Sequence, residues 1–340
     1  MEQLNILLTS AGRRSYLVEY FKKALNGRGL VHAANSSDLS PAFLAADQTV
    51  VTPLIYDSCY ISFLIDYCKE NNIRAIISLF DVDLLVLSQH KDEFKKNGIE
   101  VIVSDESVIR ICNDKWNTFH FLNAAGFNTP KTYLSVEDAI GAINEGVLNY
   151  PVIVKPRWGM GSIGVYLADN EEELRCFYHK IYGVIKNTYL KYESNNTPEQ
   201  PVLIQEQLNG QEYGLDIMND LQGNYINTGV KKKFAMRSGE TDCAVTVDDP
   251  RLQQLGSRLG EKLRHVANMD VDVFDVAGKL YVLELNARFG GGYPFIHAAG
   301  ADMPKAIVNW LTGKECEKDL FVPRAGVMSQ KDINIVVLKQ

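Results

Sequence analysis

Apolar residues recur along this chain with two different periods. The short runs "NILLTS", "LVHAAN", "QTVVTP", "IRAIISLF" and "IEVIVS" read as buried strands. Between them, "YLVEYFKKAL", "SCYISFLIDYCKENN" and "DLLVLSQHKDEFKKNG" carry apolar positions at helical spacing. Strands alternating with helices predict a parallel α/β layer, Rossmann-like in the broad sense, that ends near Cys112. Its first turn, "TSAGRRS", has one glycine where a dinucleotide fingerprint needs three, which disfavours NAD or FAD.

Beyond Cys112 the pattern changes. Asn113 or Asp114 caps a helix predicted to run to Gly126, and Pro130 marks its exit. "YPVIVKPRWGMGSIGVYLA" reads as strand, glycine-rich loop, strand, followed by an exposed helix, "NEEELRCFYHKIYGVIKN". "KYESNNTPEQP" has the composition of a mobile loop. Then "VLIQEQL", "EYGLDIMN" and "YINTGVKKK" read as strands, "PRLQQLGSRLGEKLRHV" as a helix and "VDVFDVAGKLYVLELNAR" as a hairpin, with "INIVVL" a last short strand. The expected organisation is three parts, about 1–112, 113–203 and 204–340, without an internal repeat.

Composition narrows the setting rather than the function. A chain of 340 residues, 46% apolar and 23% charged, is an ordinary globular protein of more than one domain. Its net charge of −7 argues against a nucleic-acid or anionic-membrane surface. The six cysteines show no metal or disulfide spacing and read as reduced thiols. The N-terminus lacks the pattern of a signal peptide, and no run is long enough to span a membrane, so the expected location is the cytoplasm.

The chemistry concentrates in "LYVLELNARFGGG", where Glu284, Asn286 and Arg288 alternate within an apolar strand and so share one face. With a turn "AGK" centred on Gly278, Asp272 faces Glu284 and Asp270 faces Asn286; a two-residue turn would shift that register by one. Opposed carboxylates destabilise a sheet unless a cation lies between them. Hard oxygen donors with an amide alongside suit Mg²⁺ or Mn²⁺, with phosphate oxygens and water filling the shell. Arg288 supplies fixed positive charge for a transferring phosphoryl group, or forms a structural ion pair with Glu284.

A second cluster lies upstream. Lys155 is embedded in the apolar strand "YPVIVKP", where an unpaired ammonium is costly, directly before "GMGSIG". Gly159, Gly161, Ser162 and Gly164 form a loop whose N–H groups can approach phosphate oxygens, although no GK[ST] follows as in a Walker loop. Lys115, beside Trp116 in the first turn of its helix, reads alone as a surface lysine. Glu206 and Glu212 flank a strand end whose edge could hydrogen-bond a purine.

The order of these features resembles the ATP-grasp superfamily: helix lysine, strand lysine before a glycine loop, "IQE" strand, then Asp…Glu-x-Asn-x-Arg. Residues 114–292 look most like one ATP-grasp unit of the carbamoyl-phosphate synthase large subunit, and the preceding α/β region is similar to the domain that comes before such units. The fold implied is a Rossmann-like N-terminal domain followed by a two-part ATP-grasp α+β fold. The cofactors implied are ATP and Mg²⁺ or Mn²⁺. Carried over residue by residue, Lys115 and Lys155 contact the phosphates, and Gly159 to Gly164 close over them. Gln205 to Leu208, with Glu206 and Leu208 named, hold the adenine. Glu212 takes the ribose, Asp272, Glu284 and Asn286 hold the metal, and Arg288 serves acyl-phosphate formation.

The implied activity is ligation of a small-molecule carboxylate to an amine through an acyl phosphate. One unit is present where the synthase subunit carries two, so the chain looks more like stand-alone ligases of amino-acid-like substrates. A catalytically silent ATP-binding regulator and a synthase-like carboxylation of a small metabolite are the competing readings. Candidate substrate contacts are Ser10, Gly12 and Arg13 after the first strand, and Asp81 and Asp83, which pair an amine or cap a helix. Lys233 and Arg237, in "KKKFAMRSGE", reach phosphate or substrate or belong to a solvated basic loop. A homodimer stays open.

Overall fold

The computed structural model describes residues 3–338 apart from Asn196. Among them no helix is long and apolar enough to cross a membrane. Strands β1 (Asn5–Thr9), β2 (Val31–Asn35), β3 (Gln48–Val51), β4 (Ile73–Ser78) and β5 (Glu100–Ile102) form a parallel sheet in the order β3-β2-β1-β4-β5. Helices lie between its strands, as the alternating pattern predicts, and the order reverses at β1 and β4, whose carboxyl ends face the rest of the molecule. The expected second helix of "DLLVLSQHKDEFKKNG" is two, Asp81–Gln89 and Lys91–Lys96, broken at His90.

Strands β6 (Thr132–Tyr133), β7 (Val152–Pro156), β8 (Tyr166–Ala168) and β9 (Val202–Glu206) make a four-stranded sheet ordered β6-β9-β7-β8. It has its own core, built from helices Val136–Asn144 and Glu171–Lys186 over Val152, Val154 and Ile204. A boundary at 203/204 cuts through β9, which pairs with β6 and β7; the chain leaves this sheet only at 207–210. The polar stretch expected to be a loop is partly helical, because Leu190 gives helix Leu190–Ser194 a fully buried anchor.

Strands β10 (Gln211–Asn219), β11 (Tyr225–Arg237), β12 (Glu240–Thr246), β13 (Asn268–Val276), β14 (Lys279–Asn286) and β15 (Met328–Gln330) form an antiparallel sheet, ordered β14-β13-β10-β11-β12-β15. Its core is continuous with that of the first layer: Leu84, Ile109 and Val108 pack in one cluster with Leu215, Val271 and Leu285. "KKKFAMR" is part of β11, with Lys231 and Lys233 buried, so the solvated-loop reading fails there. The final strand lies at Met328–Gln330 rather than "INIVVL". Lys331 N–H still reaches Asp242 O, but β12 begins at Glu240 and leaves the following apolar run nothing to pair with.

The β13/β14 hairpin settles the register in an unexpected way. The turn is two residues, Ala277 and Gly278, both at positive φ (50° and 86°), the conformation of a type I′ turn. Val276 therefore pairs with Lys279, and Val273 with Val282. A bulge at Leu283 then adds one residue to β14, so Asp272 pairs with Glu284 and Asp270 with Asn286. The bulge cancels the shift that a two-residue turn imposes. It also turns Leu283 and Glu284, neighbours in sequence, toward the same cavity.

Candidate active site

A cavity of about 470 Å³ opens between the four-stranded and six-stranded sheets. Lys115, Lys155, Gly159, Gly161, Ser162, Gln205, Glu206, Leu208, Glu212, Asp272 and Glu284 all line it, although they come from five separate stretches of sequence. Asn286 and Arg288 lie beyond its edge, as does Gly164. Ile153, Val165, Met236, Phe274 and Leu283 give the cavity apolar walls suited to a flat aromatic base. None of these five stands out in the sequence, because each looks like any strand residue.

Two lysines approach the cavity from different elements. Asp114 caps helix Lys115–Ala124 by accepting the Trp116 N–H at 3.0 Å, and a paired interaction from Arg157 (2.7 Å to each oxygen) clamps that cap to β7. This fixes Lys115, whose Nζ reaches Gly159 O at 2.5 Å and Glu284 at 3.1 Å. The isolated lysine of the sequence is thus largely covered, its side chain 13% exposed, and paired. Lys155 donates to Gln205 Oε1 at 2.7 Å, while Gln205 Nε2 donates to Thr132. Burial, with Lys115 adding repulsion, pushes Lys155 down to about 8. Glycine loop 159–164 passes through positive φ at Gly159, Gly161, Ser162 and Gly164, a shape that lets successive N–H groups converge.

The opposed carboxylates are each met by an ammonium. Lys233 bridges Asp272 (2.5 Å) and Glu212 (2.7 Å), and their attraction outweighs burial to hold its pKa above the lysine range. At Asp272 burial prevails over Lys233, with repulsion from Asp270, Glu212 and Glu284, and the carboxyl rises to about 6. At Glu284 burial is overcome by Lys115 and Lys155, and the pKa falls below the usual range. Two carboxylates facing each other, with the Asn286 amide one pair further along, are a hard-oxygen donor set that fits Mg²⁺ or Mn²⁺. Among the described residues no group of three or more His, Cys, Asp or Glu could hold a metal unaided. The set therefore suits an ion that arrives with phosphate oxygens and water.

At the outer edge, Arg288 does not pair with Glu284. Its guanidinium grips Asp81 Oδ2 through Nε (2.8 Å) and Nη2 (2.7 Å), joining the six-stranded sheet to the carboxyl end of β4. Both contacts fall on Oδ2, and Asp81 does not cap the helix that it begins. Asp83 is fully enclosed and accepts from Thr9, Ser10, Ser78 and Tyr60, so its role is structural and Ser10 is committed with it. The carbonyl of Gly12 receives Ser40 Oγ (2.8 Å) and Ala42 N (3.0 Å), a turn contact. Arg13 is exposed, and Arg14 points inward instead, donating to Phe289 O at 2.5 Å; sequence alone cannot distinguish adjacent arginines on a turn. Arg237 pairs with Asp242 and, unlike its neighbour Met236, is not among the residues that line the cavity.

Sequence reasoning also missed the support beneath Arg288. Lys231 is wholly buried, 2.5 Å from Asp216 and 3.5 Å from Asp270. Gly290, Gly291 and Gly292 follow Arg288 because side chains crowd them: a Cβ on Gly290 would lie 2.1 Å from Asp270 Cγ, and on Gly292 2.4 Å from Lys231 Cε. Gly290→Ala is expected to cost about 1–3 kcal/mol through overpacking, read by chemical denaturation; an unchanged midpoint would contradict this packing.

Comparison with known proteins places this geometry. The model of the ATP-grasp domain matches residues 112–292, and that of the PylC-like N-terminal domain matches residues 6–102. A carbamoyl phosphate synthase large chain from Pseudothermotoga lettingae is 20% identical over 83% of this chain, which spans 25% of that protein's length. The biotin carboxylase domain of Hydrogenobacter thermophilus 2-oxoglutarate carboxylase superposes with a TM-score of 0.75 at 18% identity, covering 96% of this chain and 74% of that one. An L-amino acid ligase from Bacillus licheniformis gives 0.70 at 18% identity, covering 94% and 79%. Over more than half its length, cavity, lysines and opposed carboxylates included, the chain belongs to the ATP-grasp domain family.

Proposed function

We propose that this protein is an ATP-dependent carboxylate–amine ligase that works through an acyl phosphate and forms ADP and phosphate. The observation that carries the proposal is the pairing of Asp272 with Glu284 on one cavity wall, opposite Lys115, Lys155 and the glycine loop. A binding-only protein has no need of two opposed carboxylates aimed at the phosphate end. Support also comes from the solved L-amino acid ligase and MgADP-bound biotin carboxylase domain that share the fold.

In this reading the apolar walls and residues 205–208 receive the base, and Glu212 the ribose. Lys115 and Lys155 neutralise the triphosphate, and the N–H groups of the glycine loop cover it. Asp272, Glu284 and Asn286 would hold Mg²⁺, which supplies charge neutralisation at the phosphate oxygens. Arg288, held by Asp81 at the cavity's edge, offers fixed positive charge where the substrate carboxylate meets the γ-phosphoryl group. An acyl phosphate hydrolyses readily, so the middle sheet with its loop acts as the cover that excludes water.

The experiment is ADP release from MgATP and a pool of the twenty amino acids. Pool-dependent ADP supports the ligase; tight ATP binding without it would favour a silent nucleotide-binding protein. Lys155 adds a pH signature. It binds phosphate as the ammonium, and its protonated fraction falls as pH rises through about 8. The kcat/KM for ATP is therefore expected to decline above pH 8, and Lys155→Arg to move that decline to higher pH. A flat profile to pH 9.5 would remove Lys155 from the phosphate site.

A further inference from the structure

Helix Leu190–Ser194 sits where the cover meets the N-terminal layer. Leu190 packs against the glycine loop so closely that a Cβ on Gly159 would lie 2.6 Å from its Cδ2. On the helix's other side Tyr192 stacks on Tyr56 at 4.1 Å, and Tyr189 meets Phe80 edge-on at 5.7 Å. Glu193 is buried (8% exposed) between these contacts, and among the described residues nothing donates a hydrogen bond or ion pair to it. Its oxygens are not among the enclosed polar atoms that lack a partner, so they reach solvent, where a substrate group can approach them.

The surroundings indicate a use for it. The charged groups that face Glu193 are Asp81, at the start of helix Asp81–Gln89, and Lys115 and Asp114, at the start of helix Lys115–Ala124. Asp81 is the residue that holds Arg288, and Lys115 holds Glu284. Glu193 therefore lies on the segment between the glycine loop and Phe80, the neighbour of Asp81, beside the edge where the acyl phosphate would form. We propose that Glu193 is the general base for the second half of the reaction, accepting a proton from the cationic amine as it attacks. This rests on the ligase reading above and names the residue that readies its nucleophile.

The step balances as follows. The ammonium passes one proton to the Glu193 carboxylate, and the freed nitrogen pair forms the C–N bond. The tetrahedral centre expels phosphate with the C–O electron pair. The nitrogen's second surplus proton leaves with the phosphate as hydrogen phosphate. Burial, with repulsion from Asp81, raises Glu193 to about 7 against the opposing pull of Lys115, a value matched to accepting a proton near neutrality. The base rides on the segment that contacts the glycine loop, so it is in place when the cover is down.

The test compares two nucleophiles on one acyl phosphate. With MgATP and the amino-acid pool, amide formation requires deprotonation of an ammonium, whereas added hydroxylamine is already neutral and traps the intermediate as hydroxamate. In Glu193→Gln the ratio of amide to hydroxamate is expected to fall about a hundredfold or more, the usual worth of a general base. Glu193→Asp, which keeps a carboxylate, is expected to recover much of the ratio. In the wild type this ratio is expected to rise with pH through about 7, and in the glutamine variant to lose that limb. An unchanged ratio, or equal loss of both products, overturns the role of Glu193. Wild-type protein that yields neither hydroxamate nor ADP overturns the ligase reading itself, and this proposal with it.

Discussion

Glu284→Gln is expected to lower ADP-forming turnover by about a hundred- to a thousandfold, the cost of losing one preorganised charge at a phosphoryl-transfer centre. Glutamine keeps the shape and the contact with Lys115, now 3.1 Å from the carboxylate, but removes the negative charge. Two lysines that Glu284 balances are then left facing the triphosphate alone. The same variant should therefore bind metal-free ATP at least as tightly as the wild type while losing the response to added Mg²⁺. That split separates a metal-holding role from general damage to the pocket. Turnover and Mg²⁺ dependence like the wild type would remove Glu284 from the metal site.

The second large effect is on stability. Lys231→Met leaves Asp216 and Asp270 facing each other in the interior with no cation between them. Breaking a buried charge cluster by removing one partner costs about 3–5 kcal/mol, because the remaining charges stay uncompensated. Asp216→Asn in the Lys231→Met background removes one of the stranded carboxylates and should recover part of the loss. Asp270 packs on Gly290, two residues after Arg288, so the single variant should also loosen the strand end that carries this arginine. An unfolding free energy within about 0.5 kcal/mol of the wild type would show the cluster to be solvated rather than buried.

How much of this was readable in the sequence depends on the range of each interaction. The parallel layer was legible because strand and helix periods are local, and so was a helix cap at Asn113 or Asp114, which the structure places on Asp114. The Glu284/Asn286 face was legible because a strand alternates strictly. The pairing of Asp272 with Glu284 was anticipated, but by the wrong geometry: a three-residue turn was expected, and a type I′ turn with a bulge at Leu283 gives the same partners. Bulges leave no local signature in side-chain pattern. Arg288 with Asp81 joins residues 207 apart in sequence, and no periodicity can report such a contact. Lys231 and Lys233 looked like a basic loop because charge suggests solvent, yet acidic partners on β10 and β13 allow them to be buried. Glu193 was hidden for a similar reason, within a stretch whose polar composition suggested a loop.

The central claim is that this cleft transfers the γ-phosphoryl group of ATP to a carboxylate. The most direct measurement supplies the amino-acid pool with carboxylates labelled in ¹⁸O and follows the label by mass spectrometry of the phosphate released with ADP. An acyl phosphate requires one substrate oxygen to leave with each phosphate, so one ¹⁸O per phosphate is the predicted result. Pool-dependent ADP with unlabelled phosphate would mean that water or another group took the phosphoryl, and would contradict the account.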